Sequence, residues 1–289
     1  MMMKLVTYVD IPPSMLRIGY DTPLLLLGSC FTDEVGGKLQ VAGFDLLCNP
    51  FGTLYNPLSI ASCLQRAVDN RPMQADELVW HDGLWHSWLH HSRFSHSDRE
   101  QCLSHCNDAI RQTHDFLERK PLLMVTFGTA WVFYHQGRVV ANCHKLPSQQ
   151  FERRRLSVRE IVEVWQPLSA RLACPIIFTV SPIRHLADGA HGNQLSKATL
   201  MLAVDSMVNA NPQTYYFDSY ELLMDELRDS RFYARDMCHP SDMAVDIVWD
   251  RFQETYMSAE TRDCLRRQEK AYIQSQHRPI IENRFQTSI

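Results

Sequence analysis

The chain has 289 residues, of which 45% are hydrophobic and 21% charged, with a formal net charge of −4. That composition excludes a disordered or collagen-like chain, and its slight acidic excess argues against a nucleic-acid partner, which would need a basic face. Nine cysteines without a CxxC pair exclude a simple disulfide framework and fit a reduced, cytoplasmic protein.

The opening MMMKLVTYVDIPPS lacks the long apolar core and small-residue cleavage site of a secretory leader. The apolar run at residues 24–27 is too short to span a bilayer. This run stops abruptly at Gly28-Ser29-Cys30 and gives way to residues 32–39, which predicts a buried strand, a tight turn and a helix start. Asp33 and Glu34 suit the positive end of that helix, while Gly36 and Gly37 weaken it and permit close packing. Residues 44–48 predict a second strand. The stretch Asn49-Pro50-Phe51-Gly52-Thr53-Leu54-Tyr55-Asn56-Pro57 is a shaped loop, with Pro57 in the first turn of a helix through Ile60, Leu64 and Val68.

A histidine- and tryptophan-rich segment follows, read as short strands or an irregular lobe inserted at about 76–97. Residues 98–119 show a helical apolar stripe. Residues 121–127 predict a buried strand ending at Gly128, and residues 131–134 and 139–141 a hairpin about Gly137. Arg153-Arg154-Arg155 reads as a solvated approach to an amphipathic helix over 156–173. Residues 175–180 predict a third buried strand, ending in Ser181-Pro182. A helix over 196–209, a short strand at 215–217 and a last core helix over 241–252, opened by Pro240, complete the chain.

No linker or repeat interrupts this pattern, so one domain over residues 1–289 is expected. Continuous apolar strands alternating with amphipathic helices predict an α/β fold: a mostly parallel sheet covered on both faces. Ligand-binding residues in such sheets gather at the carboxyl ends of the strands. Gly28-Ser29-Cys30, Gly128-Thr129 and Ser181-Pro182 all occupy such ends.

Ser29 or Cys30 can act as a nucleophile if a base removes its proton, and a strand-to-helix turn supplies backbone N–H groups for an oxyanion. A helix N-terminus lowers a thiol pKa, which Asp33 and Glu34 oppose. In Asp236-Met237-Cys238-His239-Pro240, the three-residue separation lets the Asp236 carboxylate reach the His239 ring and fix its tautomer. Arg184, after a strand end with Ser181, suits a carboxylate or phosphate.

These segments together resemble the SGNH/GDSL hydrolase superfamily and, more narrowly, the GSCFA family. The resemblance rests on Gly28-Ser29-Cys30-Phe31-Thr32, Asn49-Pro50-Phe51-Gly52-Thr53, Thr126-Phe127-Gly128-Thr129, Asn142-Cys143-His144-Lys145, Ser181-Pro182-Ile183-Arg184-His185, the stretch Arg231 through Asp236, and Asp236-x-x-His239-Pro240. It implies a three-layer α/β/α sandwich of flavodoxin-like type. In register with the superfamily's Gly-Asp-Ser-Leu motif, Cys30 takes the nucleophile's place and Ser29 that of the aspartate. A one-residue shift in the turn would exchange them. Asp236 and His239 take the places of the acid and base. Gly52 corresponds to the oxyanion glycine. Thr129 stands where an asparagine is expected, with Asn142 and Asn49 as alternatives, and His144 joins them as a pocket-lining candidate.

The implied activity is hydrolysis or acyl transfer on an O-acyl ester, such as an acetyl ester, of a glycan or small metabolite, with no cofactor. A cysteine nucleophile would pass through a thioester, which an alcohol or amine can take up as well as water. The competing reading is an inactive SGNH-like module that binds an acylated sugar. His86 and His90 have a metal-ligand spacing on a helix, but no glutamate follows His86 and Gly83 disfavours a helix there, so no metal is expected.

Overall fold

The computed structural model describes residues 7–276. In chain order the elements are β1 (Leu24–Gly28), α1 (Cys30–Val41), β2 (Leu46–Cys48), α2 (Pro57–Val68), β3 (Leu78–His81), β4 (Leu84–Ser87), α3 (Arg99–Glu118), β5 (Leu122–Phe127), β6 (Trp131–His135), β7 (Arg138–Val140) and β8 (Glu152–Arg155). There follow α4 (Val158–Leu172), β9 (Ile176–Val180), α5 (Gly189–Ala210), β10 (Thr214–Phe217), the single turn α6 (Ser219–Glu221), α7 (Asp242–Tyr256) and α8 (Ala259–Gln276).

Five of the strands form one parallel sheet in the order β2-β1-β5-β9-β10. This is a doubly wound order whose direction reverses between β1 and β5, the place where open α/β sheets bind ligands. The continuous apolar runs have the expected reason, burial on both faces. Leu25, Leu27, Val125 and Phe178 point into a core with α2, α3, α4 and α5. Leu24, Leu26, Met124 and Phe217 point into a second core with α1, α7 and α8. The molecule is thus a three-layer α/β/α sandwich, as the apolar pattern and the family resemblance both imply. No described helix is long and apolar enough to cross a membrane.

Gly36 lies against β2, where an added Cβ would meet the Cys48 sulfur at 2.5 Å, so close packing does require this glycine of the pair. The segment 78–96 forms the β3–β4 ribbon followed by a short 3-10 turn at Ser92–Phe94. His86 and His90 do not share a helix: His86 bonds Ser95 and the His81 carbonyl, and His90 bonds Ser87.

Four expectations are corrected. Arg153-Arg154-Arg155 stay at least partly exposed, as expected of them, but they form part of β8, which pairs with β6, rather than the approach to a helix. There Arg153 lies over the Trp131 and Phe133 rings and pairs with Asp188, so aromatic faces and an ion pair hold basic residues in a strand. The helix α5 begins at Gly189, well before Ser196. Ser241, not Pro240, caps α7, its side chain accepting the Ala244 N–H. And α7 is followed by α8, which packs Leu265 into the second core.

Candidate active site

The turn after β1 is built around Gly28, whose φ is +146°. A Cβ there would stand 2.3 Å from the Thr126 carbonyl oxygen on the neighbouring strand. Only glycine fits, and the turn is then pinned from both sides. The Gly28 N–H donates to Asn49 Oδ1 (2.9 Å), and the Gly28 carbonyl accepts from the Leu54 N–H (2.9 Å). Ser29 follows in an extended conformation as the N-cap of α1, and Cys30 is the first helical residue.

Ser29 and Cys30 are presented differently. Ser29 is only 1% exposed and faces Gly128, and its hydroxyl makes no hydrogen bond among the described residues. Cys30 is half-buried. Both line a cavity of about 360 Å³ together with Tyr55, Ser181, Arg184, His185, Asp236 and His239. The Cys30 thiol is pushed up, chiefly by burial and further by Asp33 and Glu34; its own N–H and that of Phe31 pull the other way. The expected lowering by the helix N-terminus is therefore outweighed. The thiol is protonated at neutral pH and depends on a base to form a thiolate.

His239 is placed by a local device. In the loop before α7, Asp236 Oδ1 accepts the backbone N–H groups of Cys238 (2.9 Å) and His239 (3.0 Å). Met237 takes the left-handed conformation, φ +57°, that closes the loop. Asp236 Oδ2 is then 2.6 Å from His239 Nδ1. The two backbone N–H groups, with the ring, hold the Asp236 carboxyl at about 2. An ionised carboxylate only accepts, so Nδ1 carries the proton and Nε2 of the neutral ring is left to accept one. The Arg184 N–H donates to the Cys238 carbonyl (3.0 Å), tying this loop to the end of β9. No hydrogen bond joins Cys30 to His239 among the described residues. Such contacts commonly tighten only in the substrate complex.

The other predicted residues separate into two groups. Ser181 and Arg184 line the cavity. Gly52, Asn49, Thr129, Asn142 and His144 do not, and each is committed elsewhere. The Gly52 N–H donates to the Asn49 carbonyl (2.8 Å), and the Gly52 Cα packs so tightly on His91 that a Cβ would fall 2.2 Å from the His91 Cβ. Asn49 is 1% exposed; its Oδ1 takes the Gly28 N–H and its Nδ2 donates to Asp33 (2.6 Å). Thr129 Oγ1 sits 3.1 Å from Ser196 Oγ and accepts the Trp131 N–H (3.1 Å). Asn142 accepts the His144 N–H. His144 is bonded to the Ser87 carbonyl and stacked on His86 at 4.4 Å, with burial pushing it down to about 4. These five residues and their loops brace the turn and the neighbouring lobe. The backbone N–H groups of Cys30 and Phe31 stand at the start of α1, and both pull the Cys30 thiol pKa down.

Two residues of the site, Tyr55 and Lys197, escaped the sequence reading, whereas His185, from the Ser181-Pro182-Ile183-Arg184-His185 stretch singled out there, lines the cavity as well. Tyr55 lines the cavity from the loop before α2, and its carbonyl accepts the N–H groups of Gly128 (2.8 Å) and Thr129 (3.0 Å). His185 packs edge-on against the Tyr55 ring at 6.2 Å. Lys197 is wholly buried beneath the cavity floor. Its Nζ donates to the carbonyls of Gly128 (2.8 Å) and Ser181 (2.8 Å), the residues that follow β5 and β9, and lies 5.3 Å from the Tyr220 ring centroid. Its place on the buried stripe of α5, with Leu200 and Val204, was a legible signal.

Burial pulls Lys197 from 10.5 down to about 7, opposed by the charge of Cys30. Between those values the unfolded chain holds a proton that the folded chain lacks, so stability must rise with pH across that window. Below pH 7 both states are protonated and the burial penalty is complete. Relative to Lys197→Met, the wild type is therefore expected to gain roughly a few kcal/mol from pH 7 to 10.5, measured by urea denaturation at both ends.

Fold and site together define a doubly wound α/β protein with a thiol at its switch point, in one cavity with an acid-oriented imidazole. The chain matches the GSCFA family model over residues 23–252 and belongs to that family. Among solved structures it is similar to a variant of Axe2, an acetyl-xylooligosaccharide esterase from Geobacillus stearmophilus, at 12% identity and a TM-score of 0.45, covering 84% of this chain and 98% of that one. It is also similar to a Clostridium thermocellum family 3 carbohydrate esterase, at 11% identity and a TM-score of 0.38, covering 85% and 98%. No curated protein sequence matches the chain.

Proposed function

We propose that this GSCFA-family protein is an esterase or acyltransferase that acts on an O-acyl ester of a glycan or small metabolite through Cys30, His239 and Asp236. The observation that carries this is the shared cavity: the more accessible of the two candidate nucleophiles lines it together with a histidine whose Nδ1 is held by a carboxylate at 2.6 Å.

His239 Nε2 takes the proton from Cys30 as the sulfur attacks the acyl carbon. The carbonyl oxygen becomes an anion facing the N–H groups at the start of α1. When the intermediate collapses, the C–O bond breaks, and the proton on His239 passes to the departing alkoxide. The acyl group is now a thioester on Cys30. Water or an acceptor alcohol, deprotonated by His239, attacks it and releases the thiolate, which recovers its proton from His239. Asp236 stays ionised throughout and stabilises the transient imidazolium.

Turnover of an aryl acetate by wild type and His239→Ala tests the proposal, with a loss of about 10²–10⁴-fold expected from removal of the base. The alternative reading, a binding module, draws on the missing Cys30–His239 hydrogen bond. Retention of acylated-sugar binding with no ester turned over by wild type would favour it.

A further inference from the structure

One wall of the cavity carries polar groups that neither the fold nor the proton-transfer path consumes. Arg184 follows β9, and no carboxylate pairs with it among the described residues. Asp188, the nearest acid along the chain, is taken by Arg153 (2.6 Å), and Asp236, which shares the cavity, is saturated by His239 and two backbone N–H groups. The guanidinium is nevertheless held in place. It lies over the Tyr233 ring at 4.7 Å, and one Nη donates to the Tyr233 hydroxyl (3.1 Å). Three residues earlier, Ser181 is 0% exposed, lines the same cavity, and has a hydroxyl with no hydrogen-bond partner among the described residues. A buried hydroxyl left unbonded is costly. The guanidinium that lines the same cavity adds several donors and no acceptor. The cavity is small, near the lower end for metabolite sites, which places any group on this wall close to Cys30.

We propose that Arg184 and Ser181 form a carboxylate-binding site, and that the ester processed at Cys30 carries a free carboxylate. This rests on the reading of Cys30 as nucleophile, and it adds a substrate class: a small acidic ester, such as an O-acyl hydroxy acid or a dicarboxylic half-ester. The planar fork of Arg184 matches a carboxylate, and the Ser181 hydroxyl supplies a further donor.

Alkylation of Cys30 by iodoacetate and by iodoacetamide tests this without requiring turnover. The reagents deliver the same one-carbon electrophile with and without a carboxylate. The rates are read by peptide mass mapping above the ordinary histidine range of pH, with glutathione as the free-thiol reference. The expected ratio of iodoacetate to iodoacetamide rates at Cys30 exceeds that of glutathione by about tenfold or more, and falls at least severalfold in Arg184→Met and less in Ser181→Ala. A ratio equal to that of glutathione, or one unmoved by Arg184→Met, overturns the proposal. If Cys30 reacts with neither reagent, the nucleophile reading fails and a second measurement still decides Arg184. Succinate should raise the melting temperature of wild type and not of Arg184→Met, while succinamide raises neither. Equal shifts in both proteins would refute the site.

Discussion

Cys30→Ala is expected to lower acyl-ester turnover by on the order of 10⁴–10⁶-fold, as removal of a covalent nucleophile does in comparable sites. The physical case is exposure and register. Cys30 is half-buried and opens the helix, so its sulfur can meet a substrate, while Ser29 is 1% exposed and packs towards Gly128. Ser29→Ala removes a hydroxyl that has no hydrogen bond to lose among the described residues, so its effect on turnover should stay within severalfold. Cys30→Ser should recover little. Serine holds its proton far more tightly than a thiol, and the N–H groups of Cys30 and Phe31 would have to stabilise a much stronger base. Steady-state rates on one aryl ester for the three variants separate these outcomes.

Gly28→Ala is expected to destabilise the fold by roughly 3 kcal/mol or more. Two costs add. Its φ of +146° belongs to a region that alanine rarely enters. The new Cβ would also lie 2.3 Å from the Thr126 carbonyl oxygen and 2.9 Å from the Thr126 nitrogen, both backbone atoms of the central strand β5. Backbone cannot swing aside as a flexible side chain can. The β1–β5 pairing that carries the turn must shift, so an urea midpoint well below that of wild type and a displaced Cys30 should appear together.

Legibility in the sequence followed the range of the interactions. The strand–turn–helix at residues 24–41 was readable because its cause is local: an apolar run, a glycine, then helix formers. Asp236 and His239 were readable for the same reason, three residues closing one loop. The oxyanion candidates were not. Asn49 and Gly52 read as donors because their residue types suit the role, yet Asn49 is used up between Gly28 and Asp33, 21 and 16 residues away. Which polar group a loop consumes depends on what the fold brings beside it. Lys197 illustrates the converse. Its burial is legible from its place on the apolar stripe of α5, but its partners are two carbonyls at the ends of β5 and β9, which no residue type in the sequence announces. The strand β8 was missed because three consecutive arginines suggest solvent, whereas the Trp131 and Phe133 faces that hold Arg153 come from a different strand.

The most direct measurement is to locate the acyl group itself. Wild type is mixed with an activated acyl ester, quenched in acid during the first turnovers, digested and mapped by mass spectrometry. An acyl adduct on Cys30, made more persistent by His239→Ala once it has formed, is the predicted result. An adduct on Ser29 instead, or sustained turnover with no adduct and undiminished in Cys30→Ala, would contradict the account.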